Sequence, residues 1–304
     1  MTVPAWVWGA TIVGVLALVA FDFFMVSRTP HEVGVGEAAR WSIFYIALAI
    51  VFGIGVFYFM GSQSGTEFFA AYLVEKSLSV DNLFVFAIIL TQFAVPSVLQ
   101  QRVLLIGIVL ALVFRAVFIA LGAAALSAFA FTFVIFGALL IWTGIQLARH
   151  HNEDPEPSDN FVVRAVKKRY PFTDEYHGTA MFIKENGKRI ATPMLLVIIA
   201  IGSTDLLFAL DSIPATFGVT QNAYLVFTAN ALALFGLRAL YFLLKGLLDR
   251  LVYLSLGLAA ILVFIGIKLI LTWAHETWPQ VPKIPTAASL GVIAVILIVA
   301  TVAS

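Results

Sequence analysis

Glu75-Lys76-Ser77-Leu78-Ser79-Val80-Asp81-Asn82-Leu83-Phe84 lies inside an otherwise apolar run that extends from Thr66 to Phe93. Read as a spanning helix, the stretch puts two carboxylates and an ammonium into lipid. One charge at the centre of such a helix costs about 2.5 to 3.5 kcal/mol on insertion scales. Charges of that cost persist only where they are paired, hydrated or functional. A second stretch, Ser203-Thr204-Asp205-Leu206-Leu207-Phe208, matches Ser79 to Phe84 at four of six positions. The echo continues with Arg115-Ala116 against Arg238-Ala239, then Gly144-Ile145-Gln146-Leu147 against Gly266-Ile267-Lys268-Leu269. The offset drifts only from 124 to 122 across the three matches.

Outward from these strings the chain is 62% apolar and 12% charged over 304 residues, far from a soluble domain's composition. Nine apolar runs are long enough to cross a hydrocarbon core of about 30 Å. They are Pro4 to Val26, Trp41 to Met60, Thr66 to Phe93, Val103 to Leu126, Ala128 to Ala148, Thr192 to Phe217, Ala223 to Leu244, Leu251 to Trp273 and Ala287 to Ala303. The expected fold is an all-α polytopic membrane protein. Residues 1–148 form spans one to five, 149–191 a polar loop, and 192–304 spans six to nine. Spans three to five and six to eight are then duplicated three-helix units. An odd number of crossings gives the copies opposite topology, the inverted repeat common in secondary transporters.

Orientation follows from Lys and Arg. With the N-terminus outside, cytoplasmic segments hold Arg28, Arg40, Arg102, Lys245, Arg250 and the eight basic residues from Arg149 to Arg189, and external segments hold only Lys283. The C-terminus and the 149–191 loop are then cytoplasmic. Lys76, Arg115, Arg238 and Lys268 fall within spans, Lys268 near enough to an end to snorkel. Met1 to Val26 lacks the charged start of a cleavable signal and reads as the first span. In the loop, Asn186-Gly187 between two short strand-like stretches predicts a hairpin. The loop reads as a solvated linker or as a regulatory element.

The absence of cysteine excludes thiolate metal sites and disulfides. The five histidines fall in connections or at span edges, which leaves oxygen ligands. Repeat-related Asp81 and Asp205 are expected to face each other across the midplane. Glu75 and Asp81 stand six residues apart, as do Asp205 and Asp211, so each pair is splayed by about a third of a turn on a straight helix. Both acids of one helix reach one ion only if the helix unwinds, or they serve it in turn. Pro214, Gly202-Ser203-Thr204, and Ser77 with Ser79 are the candidate weak points. Carboxylates, the Asn82 amide, hydroxyls and carbonyls suit Mg, Ca or Mn over Zn or Cu. Arg115 and Arg238 either lock aspartates into the bundle or compete with the ion for them. Asp22 is isolated in the first span, and Asn230 and Thr228 read as packing residues.

At these residues the chain resembles the TerC/Alx family of bacterial and plastid membrane proteins. The strings are Glu75 to Asn82, Ala191-Thr192-Pro193, Asp205-Leu206-Leu207-Phe208-Ala209-Leu210-Asp211-Ser212-Ile213-Pro214-Ala215, and Gly236-Leu237-Arg238-Ala239-Leu240-Tyr241, with Asp174-Glu175-Tyr176-His177-Gly178 in the loop. The resemblance implies Mn²⁺ export, a name derived from tellurium resistance, and a place in the ion path for Glu75, Asp81, Asp205 and Asp211, with Asp22 and Asn82 added. One departure stands out: the family's glutamate three residues before Asp205 is Gly202 here.

The leading expectation is a secondary transporter in the bacterial plasma membrane, exporting divalent metal through carboxylates of both repeats, with protons as the coupling ion. Lys76, Arg115 and Arg238 would balance charge. No nucleotide-binding loop is present, no cofactor is expected and no enzyme activity is implied. The alternatives are a scaffold that holds metal beside the secretion machinery, and a proton or sodium pathway with an indirect metal phenotype. Lipid and a divalent ion are the expected partners, and nucleic acid is not.

Overall fold

The computed structural model describes residues 3–28, 33–149, 161–169, 171–185, 188–244, 253–278 and 280–304. The helices are α1 (Ala5–Arg28), α2 (Val35–Met60), α3 (Ser62–Gln92), α4 (Ser97–Ala128), α5 (Thr132–Arg149), α6 (Phe161–Arg169), α7 (Pro193–Val219), α8 (Ala223–Phe235), α9 (Leu237–Leu244), α10 (Leu254–Thr277) and α11 (Thr286–Ala303). Among the described residues seven helices, α1, α2, α4, α5, α7, α10 and α11, are long and apolar enough to cross a membrane. The bent pair α8 and α9 makes an eighth crossing if it is one span. The protein is therefore an all-α, multi-pass membrane protein. α3 is long enough, at 31 residues or about 46 Å, but Glu67, Glu75, Lys76 and Asp81 lower its hydropathy. It packs centrally, against α2, α7, α8 and α11.

Helices in lipid gain little from mutual burial of apolar surface, because lipid tails are as apolar as leucine. Close backbone approach does the work instead, and α5 against α10 shows it. A Cβ on Gly137 would lie 2.7 Å from the Gly266 carbonyl oxygen, and one on Gly266 would lie 2.7 Å from the Gly137 carbonyl oxygen. One turn or two away, a Cβ on Gly144 would meet the Ala259 carbonyl oxygen at 2.8 Å.

α3 and α7 run unbroken through every expected weak point, including Pro214. The helix that does break is the seventh apolar run. It bends by 42° between α8 and α9, at Gly236. The broken end is occupied: Lys76 Nζ donates to the Ala233 carbonyl at 3.1 Å, one of the last four carbonyls of α8 that lack helical partners. A side chain on Gly236 would sit 2.8 Å from that ammonium, so glycine keeps the space open.

The loop is anchored. β1 (Phe182–Glu185) pairs antiparallel with β2 (Lys188–Ala191), Phe182 opposite Ala191 and Glu185 opposite Lys188. The Asn186-Gly187 turn expected between them lies outside the described residues. Thr192 Oγ1 donates to the Ala180 carbonyl at 2.6 Å and Tyr176 Oη to the Phe93 carbonyl at 2.8 Å, fastening the loop to the ends of α7 and α3. Burial pushes the Tyr176 phenol up to about 12, so it remains a donor at neutral pH. α6, unforeseen in the sequence, packs on α7 with Val163 buried and Arg164 exposed.

Candidate functional site

A single arginine organises the buried charge. Arg115, on α4, is 1% exposed and reaches three neighbouring helices. Its Nη1 forms an ion pair with Glu75 Oε1 of α3. Its Nη2 and Nε face the Asp205 carboxylate of α7 at 3.2 and 3.5 Å. Nη1 also lies 3.2 Å from Ser212 Oγ and 3.2 Å from Asn230 Oδ1 of α8. Asn230 closes the ring by donating Nδ2 to Glu75 Oε2 at 2.9 Å. Thr216 Oγ1 stands 3.4 Å from the same oxygen and donates to the Ser212 carbonyl at 2.8 Å. Glu75, Asp205, Ser212, Thr216 and Asn230 are all buried. With both acids ionised, two carboxylates face one guanidinium, and the cluster carries a net negative charge within the bundle.

The six-residue spacings explain where the other two acids go. On straight α3 and α7, Asp81 and Asp211 point about a third of a turn away from Glu75 and Asp205. Asp81 accepts from Ser255 Oγ of α10 at 3.2 Å, and Asp211 lies beside the Thr143 hydroxyl of α5. The expected face-to-face arrangement of Asp81 with Asp205 is not what Arg115 gathers; it gathers Glu75 with Asp205. Among the described residues no three acidic or histidine side chains converge into a group that could hold a metal. The four carboxylates are thus distributed, Glu75 and Asp205 on Arg115, Asp81 on Ser255 and Asp211 beside Thr143.

The repeat-related arginines differ in their partners. Arg238 Nη2 pairs with Asp22 Oδ1 of α1 at 3.0 Å, and Nη1 reaches Gln101 Oε1 at 3.4 Å. Tyr45 Oη donates to the same Asp22 oxygen at 2.5 Å. Asp22 Oδ2 is buried without a partner. Asp22 therefore belongs to a second cluster, at the end of the bundle where α1 finishes and α4 begins. Asn82 is buried on α3, its amide nitrogen unpartnered. Gly202 faces Leu110 of α4, where a Cβ would lie 3.3 Å from Leu110 Cδ1.

Ser212 and Thr216 carry no charge to mark them in the sequence, and Asn230, expected to pack, instead bridges Arg115 and Glu75. Their signal was periodicity: positions 7 and 11 after Asp205 fall within about 20° of its direction on a helix.

The match to known proteins agrees with the resemblance. The integral membrane protein TerC family matches residues 60–304. An uncharacterized membrane protein of Mycobacterium tuberculosis is 46% identical over 311 residues, covering 98% of this chain and 78% of that protein. One of Myxococcus xanthus is 40% identical, covering 98% and 91%. Alx of Escherichia coli K12, named for a proposed role as a membrane-bound redox modulator, is 37% identical over 300 residues, covering 96% and 91%. No solved structure matches. The chain belongs to the integral membrane protein TerC family.

Proposed function

We propose that the protein is a secondary transporter that exports a divalent cation, Mn²⁺ first among them, through the carboxylates of two inverted repeats. The observation that carries this reading is the excess of acid over base in the buried cluster: Glu75 and Asp205, from α3 and α7, share one Arg115. A hard dication suits such a set, with Ser212, Thr216 and Asn230 supplying neutral oxygens. Arg115 is then the competitor that neutralises the acids between ions. Asp81 and Asp211, each facing a different neighbour, are stations visited before or after, and Asp22 and Asn82 are further candidates. Protons are the proposed counter-ions.

Nine crossings follow if α3 and the bent α8–α9 pair each span the membrane, with the N-terminus outside and the 149–191 loop and C-terminus in the cytoplasm of a bacterial inner membrane. Packing supports the repeat. At the offset of 122, Gly144 and Gly137 map onto Gly266 and Ala259, so the Gly144–Ala259 contact is the counterpart of Gly266–Gly137. Likewise α3 packs on α8 as α7 packs on α4.

A metal-holding scaffold is the rival reading, favoured by how fully Arg115 ties up the cluster. A redox role like the one Alx is named for would act here without thiols, since the chain has no cysteine. Reconstitution into liposomes containing a dye quenched by Mn²⁺ separates these readings. Transport predicts flux in the wild type and its loss in Glu75→Gln and Asp205→Asn; binding without flux would refute it, and quenching by pH alone would point to a proton pathway.

A further inference from the structure

The starts of α3, α8 and α11 and the last turn of α7 line a crevice of about 690 Å³ at the proposed outer face. The first turn of a helix has amide hydrogens without helical acceptors and carries partial positive charge. At α8 the Asn222 side chain accepts one of those hydrogens, from the Tyr224 amide at 3.1 Å. The starts of α3 and α11, which reach the crevice at Ser62 and Thr286, have neither a side-chain cap nor an acid in the first turn. Two of the three starts are therefore left suited to an anion.

The charged side chains point the same way. Lys268 of α10 is 6% exposed and lines the crevice, and its Nζ has no hydrogen-bond partner among the described residues. Lys283, just before α11, lines it from an exposed position. Glu67 is the one carboxylate among the described lining residues, and its oxygens accept from Thr220 Oγ1 at 2.7 Å and Gln63 Nε2 at 3.0 Å. It lies within electrostatic reach of Lys268, as Lys283 does, but supplies it no acceptor. Two ammoniums and one carboxylate leave one positive charge over, which repels a metal ion and attracts an anion. A buried ammonium whose donors are idle is costly until an acceptor arrives.

We infer that the crevice is a binding site for a phosphate group of single net charge, the group that an anionic phospholipid and free dihydrogen phosphate share. Lys268 donates to it from within the bundle and Lys283 from the rim, and the uncapped starts of α3 and α11 add amide donors. So many donors, in a space of this size, suit the four oxygens of a phosphate better than a halide. Helix ends mark the edge of the hydrocarbon core, where lipid phosphates lie, and basic pockets between spanning helices hold lipid headgroups. Phe57, 48% exposed, gives the crevice an apolar wall for the chain of such a lipid. Glu75, Asp205 and Arg115 are not in the lining, so the site stands independently of metal transport.

The test titrates the delipidated full chain in detergent with phosphatidylglycerol, phosphatidylcholine and inorganic phosphate in separate arms at constant ionic strength. Native mass spectrometry counts bound lipid, and equilibrium dialysis measures bound phosphate. Phosphatidylglycerol should bind at one tight site and in preference to phosphatidylcholine, whose own cationic group cancels the charge that the crevice selects. Lys268→Gln should weaken that binding about tenfold or more, the effect of losing one charged hydrogen bond, and Lys268→Arg should retain it. Without ligand, Lys268→Gln should melt no lower than the wild type, because it loses a charge that had no partner, so weakened binding there is not lost folding. Phosphate binding that depends on Lys268, with no tight lipid site, would make free phosphate the ligand. Binding of neither, equal binding by Lys268→Gln and the wild type, equal affinity for the two lipids, or a lower Tm of unliganded Lys268→Gln overturns the inference.

Discussion

Replacing Arg115 with methionine should destabilise the protein sharply, and Mn²⁺ should repair the damage. The guanidinium holds Glu75 and Asp205 and lies 3.2 Å from both Ser212 and Asn230, with every group buried. Removing one side of a buried ion pair leaves uncompensated charge, at a cost of about 3–5 kcal/mol. At about 2–4 °C per kcal/mol, the Tm of detergent-purified Arg115→Met should fall by roughly 10 °C. The triple variant Glu75→Gln, Asp205→Asn, Arg115→Met removes the charge as well as its partner, and should recover most of the loss. Saturating Mn²⁺ should restore the single variant, since a ligand at 100 times its Kd stabilises by about 2.7 kcal/mol. The wild type should respond less, because its guanidinium has to be displaced first. Tryptophan fluorescence during heating measures all three, as the chain has six tryptophans. An unchanged Tm for Arg115→Met, or a larger Mn²⁺ shift in the wild type, would refute the idea that arginine and metal compete for the same acids.

Two other substitutions probe the frame. Gly266→Val would place its Cβ 2.7 Å from the Gly137 carbonyl oxygen. Overpacking of this kind costs about 1–3 kcal/mol, so Tm should drop by several degrees, whereas Gly291→Val on α11, with nothing within 4 Å, serves as the silent control. Tyr176→Phe removes the hydrogen bond to the Phe93 carbonyl, worth about 1 kcal/mol. Because the folded phenol titrates at about 12 against 10 for a free one, the wild type's advantage should be constant below pH 10 and shrink as pH rises from 10 toward 12. Chemical denaturation of both proteins at several pH values reads that difference.

Residue spacing carried much of the site. The splay imposed by six residues on a straight helix was legible without coordinates, and it is why Asp81 faces Ser255 and Asp211 faces Thr143. That Glu75 would join Asp205 was not legible, because the meeting depends on how α3 and α7 lie against α4. The position of the helix break was not legible for a similar reason. Pro214 signalled a weak point, yet α7 absorbs it, since proline needs only one hydrogen bond to go missing. Gly236 carries a weaker local signal, and its bend is stabilised from a distance by Lys76. α6 was hidden by its length: nine residues within a polar loop give too short an amphipathic pattern to stand out.

The two arginines show where duplication stops being a guide. Exact symmetry would give Arg238 to Asp81 as Arg115 is given to Asp205. Instead Arg238 turns to Asp22 of α1, a helix outside the repeat. α1 is otherwise thinly packed, its most apolar window only 6% buried, and this ion pair, with the Tyr45–Asp22 and Thr11–Tyr224 hydrogen bonds, ties it to the bundle. One arginine therefore faces an excess of acid at the centre, while its mate is matched one to one at the proposed cytoplasmic side. Arg238 and Asp22 form a one-to-one pair there, whereas Glu75 and Asp205 share a single guanidinium. That unequal division of partners between Arg115 and Arg238, which the repeated sequence places alike, is what the repeat alone could not have announced.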